Sequence, residues 1–368
     1  MSRVLLWDAG PGEVRAGIVE QGQLVELHIL RPRRDGALLA AGEFYTTRVL
    51  RSLGQNKAQV TLGGPTEAIL QPAKGFGEGT LLAAEMTRAP IPEPGRWKLP
   101  VVRPAPATAP QSEPGWHFSV EPSARFLRQL APGLDAILCP DAQSLNEVRT
   151  SLGPAGPAVQ IDPVAIDETD FPGLIEAAVL GEFAIAQGQI SIERTRAMTM
   201  IDVDGSGDPL ALNIAAAREA ARLLRLLGIG GPVGIDFVTL DDRKARAAVD
   251  EALGDACGPL GPHKRTAMNG FGFVQIIRPR SGPSIPELLC TTTPGRLSLE
   301  SRAVALLREA RRSTGHGKRQ LVAPPAVIDL IRQWGAELAS LKKSLGTEIE
   351  LVADPSAFGY GHVHVSQS

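Results

Sequence analysis

Along most of the chain, short apolar runs ending in Gly, Pro or Asp alternate with longer segments of helical period. The clearest block spans residues 190–240. Two apolar runs there, Thr199-Met200-Ile201-Asp202-Val203-Asp204-Gly205 and Val233-Gly234-Ile235-Asp236-Phe237, carry carboxylates at their ends. Between them Ile214, Ala217, Ala221, Leu224 and Leu227 repeat on one helical face, and Gly228, Gly230 and Gly231 stop the helix. A helix between two strands predicts a parallel β-α-β unit, which brings both C-terminal strand ends to one sheet edge. Ligands of α/β sheets bind at that edge. Two or three carboxylates gathered there suit a divalent cation such as Mg²⁺.

Before this block, residues 4–7, 15–19 and 24–30 read as a strand meander, with Asp8 forming the turn before Ala-Gly-Pro-Gly. Residues 36–103 read as short strands broken by Gly and Pro, fitting a small barrel of the OB type. Residues 100–115 read as an extended Pro/Ala-rich linker. An α/β pattern then returns. It has a helix over 123–131 capped by Ser123, a strand over 135–139, a helix over 141–152 capped by Asp141, a strand over 158–161 and a helix over 173–180.

A hairpin of residues 189–192 and 197–203 enters the central block. After the block come a helix over 243–253 and a strand over 272–277 closed by Arg278-Pro279-Arg280. A basic amphipathic helix covers 298–312. A small α+β ending follows, with one helix over 325–344 and His362 and His364 on one face of an exposed edge strand.

Composition narrows the field. The chain has 368 residues and a mean hydropathy near zero, enough for about two to three domains. A net charge of −2 excludes a generally basic nucleic-acid binder, so any such contact needs a local basic patch. Aromatics are 4%, which leaves few rings for stacking on bases. Cys139, Cys257 and Cys290 stand far apart, against a disulfide framework or a structural zinc site, and Cys139 reads as a core thiol. No apolar stretch has the length of a membrane span, and no signal peptide is read at the start. The expectation is a reduced, cytoplasmic setting.

At the central block the sequence resembles the ribonuclease E/G family. Met198-Thr-Met-Ile-Asp202-Val-Asp204-Gly is similar to that family's first acid motif, and Gly230-Gly-Pro-Val-Gly-Ile-Asp236-Phe-Val to its second. The stretch from Asn213 to Leu227 and the pair Arg278 and Arg280 resemble the helix and the Arg-x-Arg pair of the same family, in the same order. The resemblance implies an α/β (α+β) architecture. Residues 1–34 and 116–186 would form an RNase H-like subdomain, 35–103 an inserted OB-type barrel and 104–115 a Pro-rich linker. Residues 187–290 would form a DNase I-like catalytic subdomain, and 291–368 a helix and a small C-terminal α+β domain.

Four departures mark a minimal, divergent member. Asp204 stands where the family has an Asn. The 5′-monophosphate sensor is absent where the Pro-rich stretch runs. Gln59 and Ile69 stand for the barrel's stacking rings. Cys290-Thr-Thr-Thr-Pro-Gly replaces the zinc-binding Cys pair that joins subunits, so no zinc is expected.

The implied chemistry is Mg²⁺-dependent hydrolysis of single-stranded RNA, with Mn²⁺ as the alternative ion, and insensitive to the 5′ end. Asp202 and Asp236 would be the catalytic metal ligands, with Asp204 as a third ligand or an outer-shell partner. Asn213 would orient phosphate or cap its helix. Arg278 and Arg280, with Arg265, Arg194 and Arg196 more weakly, would grip the RNA backbone. The other expectation is a non-catalytic RNA-binding or scaffold protein on a decayed nuclease fold. A monomer and a homodimer through the C-terminal domain both fit.

Overall fold

The computed structural model describes residues 2–32, 39–93, 96–119, 121–291, 293, 295–315 and 317–366. The expected start of the barrel at residue 35 lies outside the described residues.

Strands β1 (Arg3–Gly10), β2 (Glu13–Glu20) and β3 (Gln23–Leu30) form the antiparallel meander. Asp8 is not a turn former. It lies within β1, only 4% exposed, paired with Arg308. The reverse turn is made further on, at Pro11 and Gly12, where Gly12 takes φ +82°.

The barrel comprises β4 (Glu43–Gly54), β5 (Lys57–Gly63), β6 (Thr66–Leu70), β7 (Leu81–Arg88) and, after the small hairpin β8 (Ile91–Glu93) and β9 (Arg96–Lys98), β10 (Val101–Pro104). Its order is β4-β5-β6-β10-β7, and pairing of β7 with β4 closes it around Val60, Ala68, Leu70, Met86 and Val102. Closure removes the sheet edges. β11 (Gly115–Ser119) then adds to the outside of β4. The Pro-rich stretch is therefore not a free joint. It connects two strands of one sheet and is tied down on the way, where Gln111 N donates to Thr46 Oγ1 (2.7 Å).

β12 (Ala136–Cys139) and β13 (Ala158–Ile161) return to the first sheet as strands parallel to β1, in the order β13-β12-β1-β2-β3. Helices α1 (Pro122–Leu130) and α2 (Ala142–Leu152) accompany them. Asp141 caps α2 through Ser144 N, as expected, whereas α1 is entered from Glu121 and Pro122 rather than capped by Ser123. Cys139 is wholly buried, and burial pushes its thiol up to about 12, which keeps it inert. Helices α3 (Ala165–Glu168) and α4 (Phe171–Leu180) lead onward.

The central sheet runs β14-β15-β16-β17-β19-β18. Its strands are β14 (Glu182–Ile185), β15 (Gly188–Arg194), β16 (Thr199–Gly205), β17 (Gly231–Asp236), β18 (Lys264–Arg265) and β19 (Phe273–Arg278). β16 and β17 are parallel and are joined by α5 (Pro209–Leu226), as the periodicity predicts. α5 begins four residues before Asn213, because Asp208 accepts from Leu210 N and Ala211 N and Pro209 sits in the first turn. Its buried side chains, with those of α6 (Arg243–Ala256), pack on Ile201, Val203, Val233, Ile235, Val274 and Ile276. Removing one such Leu, as in Leu224→Ala, costs about 2–5 kcal/mol. These helices cover one face of the sheet. The other shows Met200, Asp202 and Asp204 of β16 half-buried or exposed.

After α7 (Ile285–Leu289), α8 (Leu299–Arg312) connects to a three-stranded sheet of β20 (Arg319–Ala323), β21 (Ile349–Ala353) and β22 (His362–Val365). The expected single helix over 325–344 is two, α9 (Pro325–Gln333) and α10 (Gly335–Leu345). They break at Trp334, whose ψ of +58° leaves the helical region while its ring is 5% exposed in this domain's core. His362 and His364 are exposed on the edge strand β22.

Candidate active site

The parallel register of β16 and β17 sets Asp202 directly beside Asp236. Neighbouring strands lie about 4.8 Å apart. Strand alternation buries Ile201, Val203 and Ile235 against the helices and turns Asp202, Asp204 and Asp236 to the open face. All three are exposed. Asp202 feels the crowding. Its pKa is raised by partial burial, by the Asp204 charge, by a hydrogen bond between the two carboxyl groups, and by Asp236, against a smaller opposing pull from the Val203 N–H.

The donor set suits a hard cation. Carboxylate oxygens on adjacent strands, exposed to solvent and repelling one another, are of the kind that a hard divalent cation takes as ligands. Among the described residues, no three or more His, Cys, Asp and Glu are gathered into a ready-made cage. Asp204, two residues on, points to the same face as Asp202.

Asn213 is neither a cap nor a phosphate contact. It is fully buried, its Nδ2 donates to Val238 O (2.7 Å), and its Oδ1 accepts from Val238 N (3.1 Å). It thereby ties α5 to the chain just past Asp236.

The expected arginine cluster is not beside the acids. Asp236 pairs with Phe273 at one end of β19, while Arg278 pairs with Gly231 at the other, five strand residues and roughly 16 Å away. Arg278 also lies on the helix-covered side, donating to Leu224 O (2.6 Å), Ile229 O (2.8 Å) and Leu260 O (3.4 Å). Arg265 turns to the same side and is paired with Asp250 of α6. Arg280 and Arg194 both pair with Glu287. Arg196 is exposed in the turn before β16, at the far end from the acids. Placing these groups needs strand pairing and direction, which linear spacing does not supply.

Two residues not selected from the sequence do belong to the open face. Lys264 pairs with Ile277, and both are exposed, while their neighbours Arg265 and Ile276 face the helices. Phe271 sits in the turn before β19, 82% exposed, beside the Asp236 end. Lys264 lies in the two-residue β18, too short for alternation to mark it, and its face follows only from its pairing with Ile277; for Phe271 the signal is a ring in a Gly-Phe-Gly turn.

The match to a known family concerns the same segment. Residues 164–281 match the model of the Ribonuclease E/G family. Ribonuclease G of Escherichia coli (strain K12) is 29% identical over 190 residues, 46% of this chain and 38% of that protein. Ribonuclease E of Nostoc sp. is 33% identical over 117 residues, covering 29% of this chain and 17% of the relative. Ribonuclease E of Haemophilus influenzae is 33% identical over 124 residues, or 31% and 13% of the two chains. The chain thus spans well under half the length of these relatives. Both aspartate strands and the helix between them lie inside the segment that matches the Ribonuclease E/G family model.

Proposed function

We propose that this chain is a metal-dependent endoribonuclease that hydrolyses phosphodiester bonds of single-stranded RNA without regard to the 5′ end. The observation that carries the reading is the side-by-side placement of Asp202 and Asp236 on an open sheet face, inside the segment that matches the family. Asp202 and Asp236 would hold the ion, Mg²⁺ or alternatively Mn²⁺. A bound divalent cation supplies positive charge against phosphoryl oxygens and makes a nearby water more acidic. Asp204, on the same face two residues on, would be a third ligand or an outer-shell partner that orients the ion's waters. Asn213 fixes the chain after Asp236, so the two carboxylates keep one geometry. The open face leaves room for an extended strand.

The domain reading is of the same standing. The closed five-stranded order β4-β5-β6-β10-β7 supports an OB-type barrel. The order β13-β12-β1-β2-β3 supports an RNase H-like subdomain, and the sheet with helices on one face supports a DNase I-like one. Gln59, opposite Ile69, bonds Glu67 and Arg51, which argues for a structural barrel.

The test is cleavage of end-labelled single-stranded RNA, bearing a 5′-monophosphate or a 5′-hydroxyl, with Mg²⁺ and beside Asp202→Asn. Cleavage of both strands at similar rates, lost in the variant, is expected. A second reading, a non-catalytic RNA-binding scaffold, is favoured by the internal pairing of Arg265, Arg278 and Arg280. Titration calorimetry separates the two, because a scaffold would bind RNA in chelator and take up no Mg²⁺ at millimolar concentration.

A further inference from the structure

The chain holds ten phenylalanines, and among the described residues two stand almost wholly in solvent, Phe271 (82%) and Phe358 (93%). They differ in setting. Phe358 is in a loop of the C-terminal domain, whereas Phe271 is held beside the acids. The turn that carries it is firmly built. Asn269 Oδ1 accepts from Phe271 N (2.9 Å) and Phe273 N (3.0 Å), and Asn269 N donates to Phe273 O (3.1 Å). Thr239 Oγ1 donates to Phe271 O (3.4 Å), and Phe237 N donates to Gly272 O (3.1 Å). Gly272 has φ +87°, and any side chain there would strike the Phe237 carbonyl. The turn is thus bonded to Phe237 and Thr239, the residues that follow Asp236. Phe273, two positions on, lies over Gly234 and against Met200 on the acid face.

A fixed turn that holds a phenyl ring out in water gains nothing from burying it. The ring's flat surface beside a phosphate-handling site suits one ligand group, a nucleobase, whose π-face any ring can meet whatever its sequence. We infer that Phe271 is the base-stacking residue of the site, holding a base of the RNA strand next to the phosphate at Asp202 and Asp236. The inference rests on the reading of those acids as the phosphodiester site. Phe271 is a positioning residue. It breaks no bond, but it fixes where along the strand the acids act. It supplies at this edge the stacking that Gln59 and Ile69 do not offer on the barrel.

The test is fluorescence anisotropy with labelled oligouridine in chelator, where no hydrolysis occurs, so that it can fail separately from the cleavage assay. Phe271→Ala should weaken binding roughly ten- to hundredfold, Phe271→Trp should keep it, and Phe358→Ala should leave it unchanged. An abasic oligomer should bind the wild type as weakly as oligouridine binds Phe271→Ala, with no further loss in that variant. Unchanged melting of Phe271→Ala, expected for so exposed a ring, separates contact from folding. Equal affinity of Phe271→Ala and wild type overturns the inference. So does an equal loss in Phe358→Ala, the absence of RNA binding by the wild type with or without Mg²⁺, or a dimer that Phe271→Ala converts to monomer.

Discussion

Asp202 and Asp236 are direct register partners on adjacent parallel strands, and both turn away from the helices that cover the sheet. Two like charges in this position weaken the fold unless something neutralises them. The arrangement thus links stability to the ion that the account requires.

With the pKa of Asp202 raised in the folded chain, its ionised form is disfavoured there relative to the unfolded chain. The strain is present at neutral pH and is relieved as pH falls through the raised pKa. Without metal, Asp202→Asn should therefore melt at the same temperature as the wild type or higher at pH 7. Adding Mg²⁺ should raise the melting temperature of the wild type and leave Asp202→Asn unchanged. Differential scanning calorimetry checks both, and an equal Mg²⁺ effect on the two proteins would count against the site.

Asn213→Ala should destabilise the chain by about 2–4 kcal/mol, because it leaves the Val238 N–H and carbonyl without their partner inside the core. Cleavage should fall as well, since the chain after Asp236 loses its anchor. Urea denaturation followed by circular dichroism reads the first effect. A variant as stable as the wild type would mean that the clamp is not a fixed feature of the fold.

Arg278→Met should lower stability by about 1–3 kcal/mol through the loss of a charged donor to three carbonyls. The salt dependence of RNA binding should stay as it was. Lys264→Ala should do the reverse, flattening the salt slope by about one with little effect on melting. Binding titrations over a range of salt concentrations distinguish the two.

Glu13 gives the acid limit of the fold. Burial opposes its charge, but Arg15, Arg31 and Arg308 outweigh that effect and hold its pKa down from 4.5 to about 2. Its stabilisation, on the order of 3 kcal/mol, is present above the unfolded value and is lost as pH falls from 4.5 toward 2. Glu13→Gln should lose stability at pH 7 and show a shallower fall over that acid range, read by urea midpoints at several pH values.

Much of the site was legible because it is local. Periodicity and strand-end acids locate β16, α5 and β17, and the paired motifs bring Asp202 and Asp236 together. The arginines failed for a reason of geometry. β19 is antiparallel to β17, so Arg278 close after Phe273 in sequence moves away from Asp236 in space. Asn213 failed because a buried amide and a capping amide look alike in a string, and the true cap, Asp208, stands beside Pro209. Asp8 failed because its partners, Arg308 and Arg311, are some 300 positions on.

The most direct test of the account is Mg²⁺-dependent cleavage of a labelled single-stranded RNA by the wild type, Asp202→Asn and Asp236→Asn. The account predicts cleavage by the wild type, abolished by chelator, and a loss of at least about a hundredfold in each variant, as expected when a metal ligand is removed. Cleavage that survives either substitution, or a wild type that is inactive with Mg²⁺ and Mn²⁺ alike, would contradict it.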